Sequence, residues 1–215
     1  MVNVKIFIVN DNETNAILIW DETNQGLLVD PGFCSKEEFS NFVEFVSQKG
    51  IIISNIVLTH GHYDHVAGVN QCIQTFPAPV YLHKLEEDNA RLGLSICRLN
   101  QWELCQDGTF FSSEDIASIS DITVGNQVYQ IIHTPGHSSG SICMYCKANK
   151  LLLSGDTIFR HNYGRTDLDG GDLNALRGSF AKLVLLPDET YVIAGHGQPT
   201  TIGEEKNNNP LNAVL

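Results

Sequence analysis

The sequence predicts an α/β fold of four layers, αββα, in which two mixed β-sheets pack face to face and helices cover both outer faces. Three observations lead there. The elements run strands, helix, strand, helix, and then repeat that order, so the two halves resemble each other in outline. Continuous apolar runs, "NIVLTH" (55–60) and "TYVIAGHG" (190–197), read as buried strands. The polar clusters all fall where strands end. Two sheets with helices outside bury every apolar face that this order creates.

Each element has its own signal. Val2, Val4, Ile6 and Ile8 alternate, which predicts an opening strand. "NAILIWDE" (15–22) is a second strand, and "GLLVDPG" (26–32) a third after a turn at Asn24–Gly26. Phe39, Phe42, Val43 and Val46 recur at helical spacing, with Ser35 as N-cap and Gly50 as the stop. "NIVLTH" is the next strand, and "VAGVNQCIQTF" (66–76) a helix after it. "PVYLHK" (79–84) is a strand and "LEEDNARLGLSICRL" (85–99) a helix. From about Gly108 short strands dominate: "IASISD" (116–121), "ITVGNQVYQIIHTPG" (122–136) and "SICMYCKANKLLLSGDTIF" (141–159). Leu173, Leu176, Phe180 and Leu183 share one face of a further helix. "TYVIAGHG" closes the second sheet, and Thr201 with Glu204 opens the last helix with a capping-box pattern. No linker or low-complexity segment interrupts the chain, so residues 1–215 are read as one domain.

Composition narrows the function classes. The formal net charge of −12 opposes a phosphate backbone, so nucleic acid is not an expected partner. No apolar run approaches the roughly 20 residues that span a bilayer, so no membrane partner is expected either. The start lacks a basic segment and a small-residue cleavage site. The six cysteines are scattered through strand-like and helix-like segments and read as reduced thiols. A cytoplasmic protein is the expectation. In "CMYC", Cys143 and Cys146 stand three apart on a strand and face opposite sides, so neither a chelate nor a bridge is expected.

The densest chemistry lies in "VLTHGHYDHVAG" (57–68), where His60, His62, Asp64 and His65 fall within six residues. In a turning or extended segment, positions two apart point the same way, so His60 and His62 can grip one ion. Asp64 and His65 stand beyond them at a helix start and can face a second. Three later strands each end in glycine and then a candidate ligand: His137 in "HTPGHSSG", Asp156 in "LLLSGDTIF" and His196 in "VIAGHG". The resulting arrangement puts His60, His62 and His137 on one ion, and Asp64, His65 and His196 on the other, with Asp156 bridging. Imidazole and carboxylate donors suit divalent zinc first, with iron or manganese as alternatives. Two ions roughly 3.5–4 Å apart share a hydroxide that is nucleophilic at neutral pH.

These motifs resemble the metallo-β-lactamase fold superfamily, whose paired histidines followed by Asp-His stand here as "THGHYDH". The later motifs stand as "HTPGHSSGS", "SGDTIF" and "AGHG", and the resemblance covers nearly the whole chain. Within it, "GDTIFRHNYGRTDL" and "GHGQPTTIGEEKNNNP" are similar to short glyoxalase II-like hydrolases. That resemblance implies a small-molecule thioester as substrate, hydrolysed in glyoxalase II itself from S-lactoylglutathione. "GRTD" is also similar to persulfide dioxygenases, which use one iron. A non-catalytic metal-binding relative is the third reading. Because 19 residues follow His196 in the 215-residue chain, the helical domain that holds glutathione in glyoxalase II is not expected. Several thioesters, with a modest preference for glutathione, are therefore expected as substrates.

Other residues receive lesser roles. Asp64 is also expected to orient the hydroxide. Asp30 in "LLVDPG" is expected to hold a ligand histidine. Arg165 and Asp167 are expected to brace the loop after Asp156, with an acidic substrate group as the alternative partner of Arg165. His161 and Tyr163, in that loop, are candidates to touch substrate, as are the surroundings of Phe33 and Tyr63. His133 is read as structural and His83 as a candidate to line the cleft. A homodimer is a candidate assembly, its second subunit able to complete the binding surface.

Overall fold

The structure is a computed structural model that describes residues 2–214, with side chains through residue 212. Strand β1 (Asn3–Val9) turns back into β2 (Thr14–Trp20), and β3 (Gln25–Val29) adds antiparallel to it. Helix α1 (Lys36–Lys49) carries the chain over the sheet, so that β4 (Ile52–Val57) lies parallel to β3. Ser35 and Glu38 form a reciprocal capping box at its start, and Gly50 ends it. Two short helices follow, α2 (Tyr63–Val66) and α3 (Val69–Thr75), where the sequence predicts one. Strand β5 (Val80–Leu82), helix α4 (Glu87–Leu99) and the short β6 (Glu114–Asp115) complete a mixed sheet ordered β1 to β6.

The second sheet begins with β7 (Asp121–Val124), β8 (Gln127–His133), β9 (Ile142–Cys146) and β10 (Leu151–Gly155), all antiparallel. A small hairpin, β11 (Ile158–Phe159) with β12 (Asn162–Tyr163), leads into helix α5 (Leu173–Leu183). Strand β13 (Tyr191–Ala194) then pairs parallel to β10, β14 (Thr200–Thr201) edges the sheet, and α6 (Ile202–Asn208) follows. Thr201 accepts from the Glu204 N–H, while the Glu204 side chain goes to His161.

Three apolar layers separate the four layers of elements, which is the predicted αββα sandwich. Alternation assigns the side chains. In β2, Ala16 and Leu18 face α1, whereas Ile17 and Ile19 enter the layer between the sheets. In β9, Met144 and Cys146 face that middle layer, and Cys143 and Tyr145 meet Leu176 and Phe180 of α5. Cys143 and Cys146 thus lie on opposite faces, both as free thiols. Burial of each such Leu, Ile or Phe contributes about 1.5–3 kcal/mol. One predicted strand is absent: in "IASISD", Ile116–Ser118 form a 3₁₀ turn because the Asp115 carboxylate caps the Ala117 N–H. Among the described residues, no helix is long and apolar enough to cross a membrane.

Candidate metal centre

The directions of the strands deliver the polar clusters to one edge of the sandwich. Asp30 follows β3, and Thr59 to His62 follow β4, its parallel neighbour. His137 follows β8, Asp156 follows β10 and His196 follows β13. Asp64 and His65 sit in α2, directly after the β4 loop.

There the side chains form two triads. The Nε2 of His137 is 3.2 Å from His60 Nε2 and 2.9 Å from His62 Nδ1. The Nε2 of His196 is 3.3 Å from His65 Nε2 and 3.3 Å from Asp64 Oδ2. Asp156 stands between them, with Oδ2 3.6 Å from His137 Nε2 and 3.4 Å from His196 Nε2. Its Oδ1 lies 3.6 Å from His65 Nε2. The approach of β13 is as close as a chain permits: a Cβ on Gly195 would lie 2.1 Å from Asp156 Oδ1.

The outer nitrogens fix the rings. Nδ1 of His137 lies 2.8 Å from the Arg165 carbonyl, and that of His196 lies 3.0 Å from the Asn12 carbonyl. A carbonyl only accepts, so both Nδ1 atoms donate and both Nε2 atoms face the centre. His65 Nδ1 donates to Asp30 Oδ2 at 3.0 Å. Thr59 Oγ1 gives its hydrogen to the same carboxylate at 2.7 Å and therefore accepts from His60 Nδ1.

Electrostatics divides the centre. Burial, with the neighbouring imidazoles, pushes His60 well below the ordinary histidine range and His62 to about 4, so both are neutral. Burial also opposes charge on His65 and His196. There Asp64 and Asp156 prevail, holding His65 well above the ordinary value, with help from Asp30, and His196 up to about 9. Burial would raise the two carboxyls, but His65 and His196 keep both below the usual carboxylate range. The carboxylates thus require positive charge beside them, as protons or as metal ions. Asp156 Oδ1 is buried without a hydrogen-bond partner, and such an orphaned anionic oxygen amid imidazoles fits a metal ligand.

Residues outside the predicted set brace the triads. Glu86 is fully buried. Its Oε2 accepts from the Gly61 N–H at 2.9 Å and its Oε1 from the Gly140 N–H at 2.6 Å, tying the His60–His62 loop to the His137 loop. The β1–β2 turn and the start of β2 hold the other triad. Thr14 Oγ1 donates to Asp64 Oδ2 at 2.9 Å, and Asn10 Nδ2 to the Asp64 carbonyl at 3.0 Å. Asn15 Nδ2 donates to the Ala194 carbonyl at 2.9 Å and to the Gly197 carbonyl at 3.1 Å, on either side of His196.

The remaining candidates divide. Tyr63 and Arg165 line the cleft above the triads. Arg165 makes a two-pronged contact with Asp167, at 2.7 and 2.8 Å, both side chains being exposed. Asp167 itself does not line the cleft. His161 and Tyr163 do not reach it either. The loop folds back on α6, where Glu205 accepts from the His161 N–H and Glu204 meets the ring, while Tyr163 packs against the α5 layer. Phe33 is fully buried beside Phe42, because the aromatic ring completes the layer under α1. His83 stacks on His133 and accepts from the Leu85 N–H, away from the cleft.

An αββα sandwich with a three-histidine cluster and a histidine–aspartate cluster at one edge defines a class, the metal-dependent hydrolases built on this scaffold. The model of the metallo-beta-lactamase superfamily matches residues 9–196, and the chain belongs to that superfamily. It is 31% identical over 220 residues to hydroxyacylglutathione hydrolase GloC of Haemophilus influenzae, covering 98% of each chain. The solved structure of TTHA1623 in a di-iron-bound form superposes with a TM-score of 0.80 at 32% identity, over 96% of this chain and 98% of that one. The BLEG-1 B3 metallo-beta-lactamase superposes with a TM-score of 0.81 at 31% identity, over 97% and 98% respectively. Relatives of equal similarity thus bear the names of different activities, and substrate has to be argued from the site.

Proposed function

We propose that the protein is a thioester hydrolase that works with two divalent metal ions, zinc being the first candidate. The observation that carries this reading is the position of Asp156 between two complete triads, with one buried oxygen unpartnered. His60, His62 and His137 would hold one ion, Asp64, His65 and His196 the other, and Asp156 would serve both. Such a pair supplies a Lewis acid for the carbonyl and a water acidified toward neutral pH.

The chain supplies position and protons. Asp64 lines the cleft, fixed by Thr14, and its carboxylate accepts a hydrogen from the attacking water and orients it. Asp30 keeps the His65 ring turned inward. Among the described residues lining the cleft, the titratable side chains outside the triads and Asp156 are Tyr63, Arg165 and Asp169, none of them a histidine. A thiolate, with a reference pKa of about 8.5, leaves with little protonation, which favours a thioester over an amide. The name of the Haemophilus relative agrees with this chemistry.

The test is metal analysis of protein purified without added metal, combined with assays on S-lactoylglutathione and glutathione persulfide. Two bound ions with thioester turnover are expected. A single iron with oxygen uptake on the persulfide would replace the hydrolase by a dioxygenase.

A further inference from the structure

The cleft above the triads encloses about 730 Å³. Beyond the polar floor its walls are mixed, with Asn12, Asn89, Arg165 and Asp169 beside a continuous apolar group. Helix α4 presents Leu92 and Ile96 with Tyr63 at their foot, and Phe159 and Leu168 also line the space. Leu92 is 56% exposed and Leu168 41% exposed. Two large aliphatic side chains left to water in one concave site indicate a ligand surface, whereas scattered single ones would not.

The α4 wall is also fixed relative to the triads. A Cβ on Gly93 would lie 2.9 Å from the Gly61 carbonyl oxygen and 3.0 Å from the Tyr63 backbone, so the helix docks directly on the loop of His60 and His62. Charge gives the second half of the argument. The guanidinium of Arg165, the one cationic side chain among the described lining residues outside the triads, is held by both oxygens of Asp167. Asp169 adds negative charge. The carboxylates of a glutathione moiety would find no unpaired cation on these walls.

We propose that the cleft takes an uncharged thioester with an aliphatic chain of several carbons, packed along Leu92, Ile96, Phe159 and Leu168. This narrows the thioester reading, on which it rests, and replaces the expected modest preference for glutathione. Binding and turnover separate the two. Calorimetry on the metal-loaded protein compares S-methyl- and S-hexyl-N-acetylcysteamine, which are uncharged and cannot be hydrolysed, with S-methylglutathione. A buried methylene tightens binding by up to about fourfold. Hexyl adds five methylenes to methyl, and at about twofold each, half of that ceiling, the hexyl compound should bind about 30-fold more tightly. S-methylglutathione should bind no more tightly than S-methyl-N-acetylcysteamine. In Leu92→Glu the hexyl advantage should fall to within about threefold at unchanged metal content, and Leu92 is exposed enough to accept the charge. Chain-length-independent binding, or tighter binding of S-methylglutathione, would overturn the proposal. In the kinetic arm, a higher kcat/KM for S-lactoylglutathione than for S-hexanoyl-N-acetylcysteamine would also overturn it and leave the hydrolase standing. Failure to turn over either thioester would sink the hydrolase, and the binding series would still decide the character of the cleft.

Discussion

The two triads sit side by side but are built differently. The first is three histidines, two of them held neutral by burial and by one another, and its loops are joined by Glu86. The second contains Asp64, has Asp30 behind His65, and is clamped by Asn10 of the β1–β2 turn and by Thr14 and Asn15 at the start of β2. The first therefore offers uncharged lone pairs at His60 and His62, while the second presents negative charge that must be balanced. Asp156 stands between both, and Asp30 links them more weakly, holding His65 directly and His60 through Thr59. The two halves should accordingly fail separately when their braces are removed, and together when Asp156 is removed.

The largest effect is expected from Asp156→Ala. It should abolish turnover and strip most of the metal, whereas His161→Ala, in a loop facing α6, should change neither. Equal metal content in the two variants, read by elemental analysis, would break the assignment of Asp156. Next come the orienting carboxylates. Loss of a group that orients a metal ligand typically costs about 10–100-fold in metal affinity or activity. Asp30→Asn should weaken metal retention by an amount in that range at the mixed triad, where it holds His65 directly, and by less at the histidine triad, where it reaches His60 only through Thr59. Glu86→Gln should act on the histidine triad, because the amide nitrogen opposes a backbone N–H where a carboxylate oxygen accepted one. Chelator titrations of the two variants sharpen the comparison: loss of the same ion in both would show that the triads are not separately braced.

A smaller change is expected from Thr14→Val, which removes one hydrogen bond to Asp64 and keeps the side-chain shape. About 1 kcal/mol, or roughly fivefold in turnover, is the expected loss. The smallest effect belongs to the double variant Cys143→Ser, Cys146→Ser. Its metal and activity should persist, since the two thiols lie in different layers. Metal loss from a folded double variant would make them ligands after all.

The sequence was legible where local chemistry and position coincide. Strands that end in glycine and then a histidine or aspartate announce a site at their ends, and the structure brings those side chains to one edge. The alternation in "CMYC" predicts its opposite faces for the same reason. What stayed hidden depends on tertiary contact. Glu86 reads as one more acid at a helix start, and only the meeting of the Gly61 and Gly140 loops makes it a buried acceptor. The turn from Asn10 to Thr14 reads as solvated polar loop, yet Asn10 and Glu13 adopt left-handed backbone (φ 54° and 55°) that folds it onto Asp64 and His196. Phe33 follows Pro31-Gly32 and reads as a loop aromatic, although the layer beneath α1 has room for it. His161 and Tyr163 share a loop with Arg165, and no periodicity tells which face of that loop meets the cleft.

The most direct test of the paired triads is the metal content per chain of the protein, His137→Ala and His196→Ala, purified identically without added metal. Two equivalents are expected in the unaltered protein and about one in each variant, with different ions lost. One equivalent throughout, unaffected by His196→Ala, would contradict the account, because it would leave the mixed triad without an ion to hold.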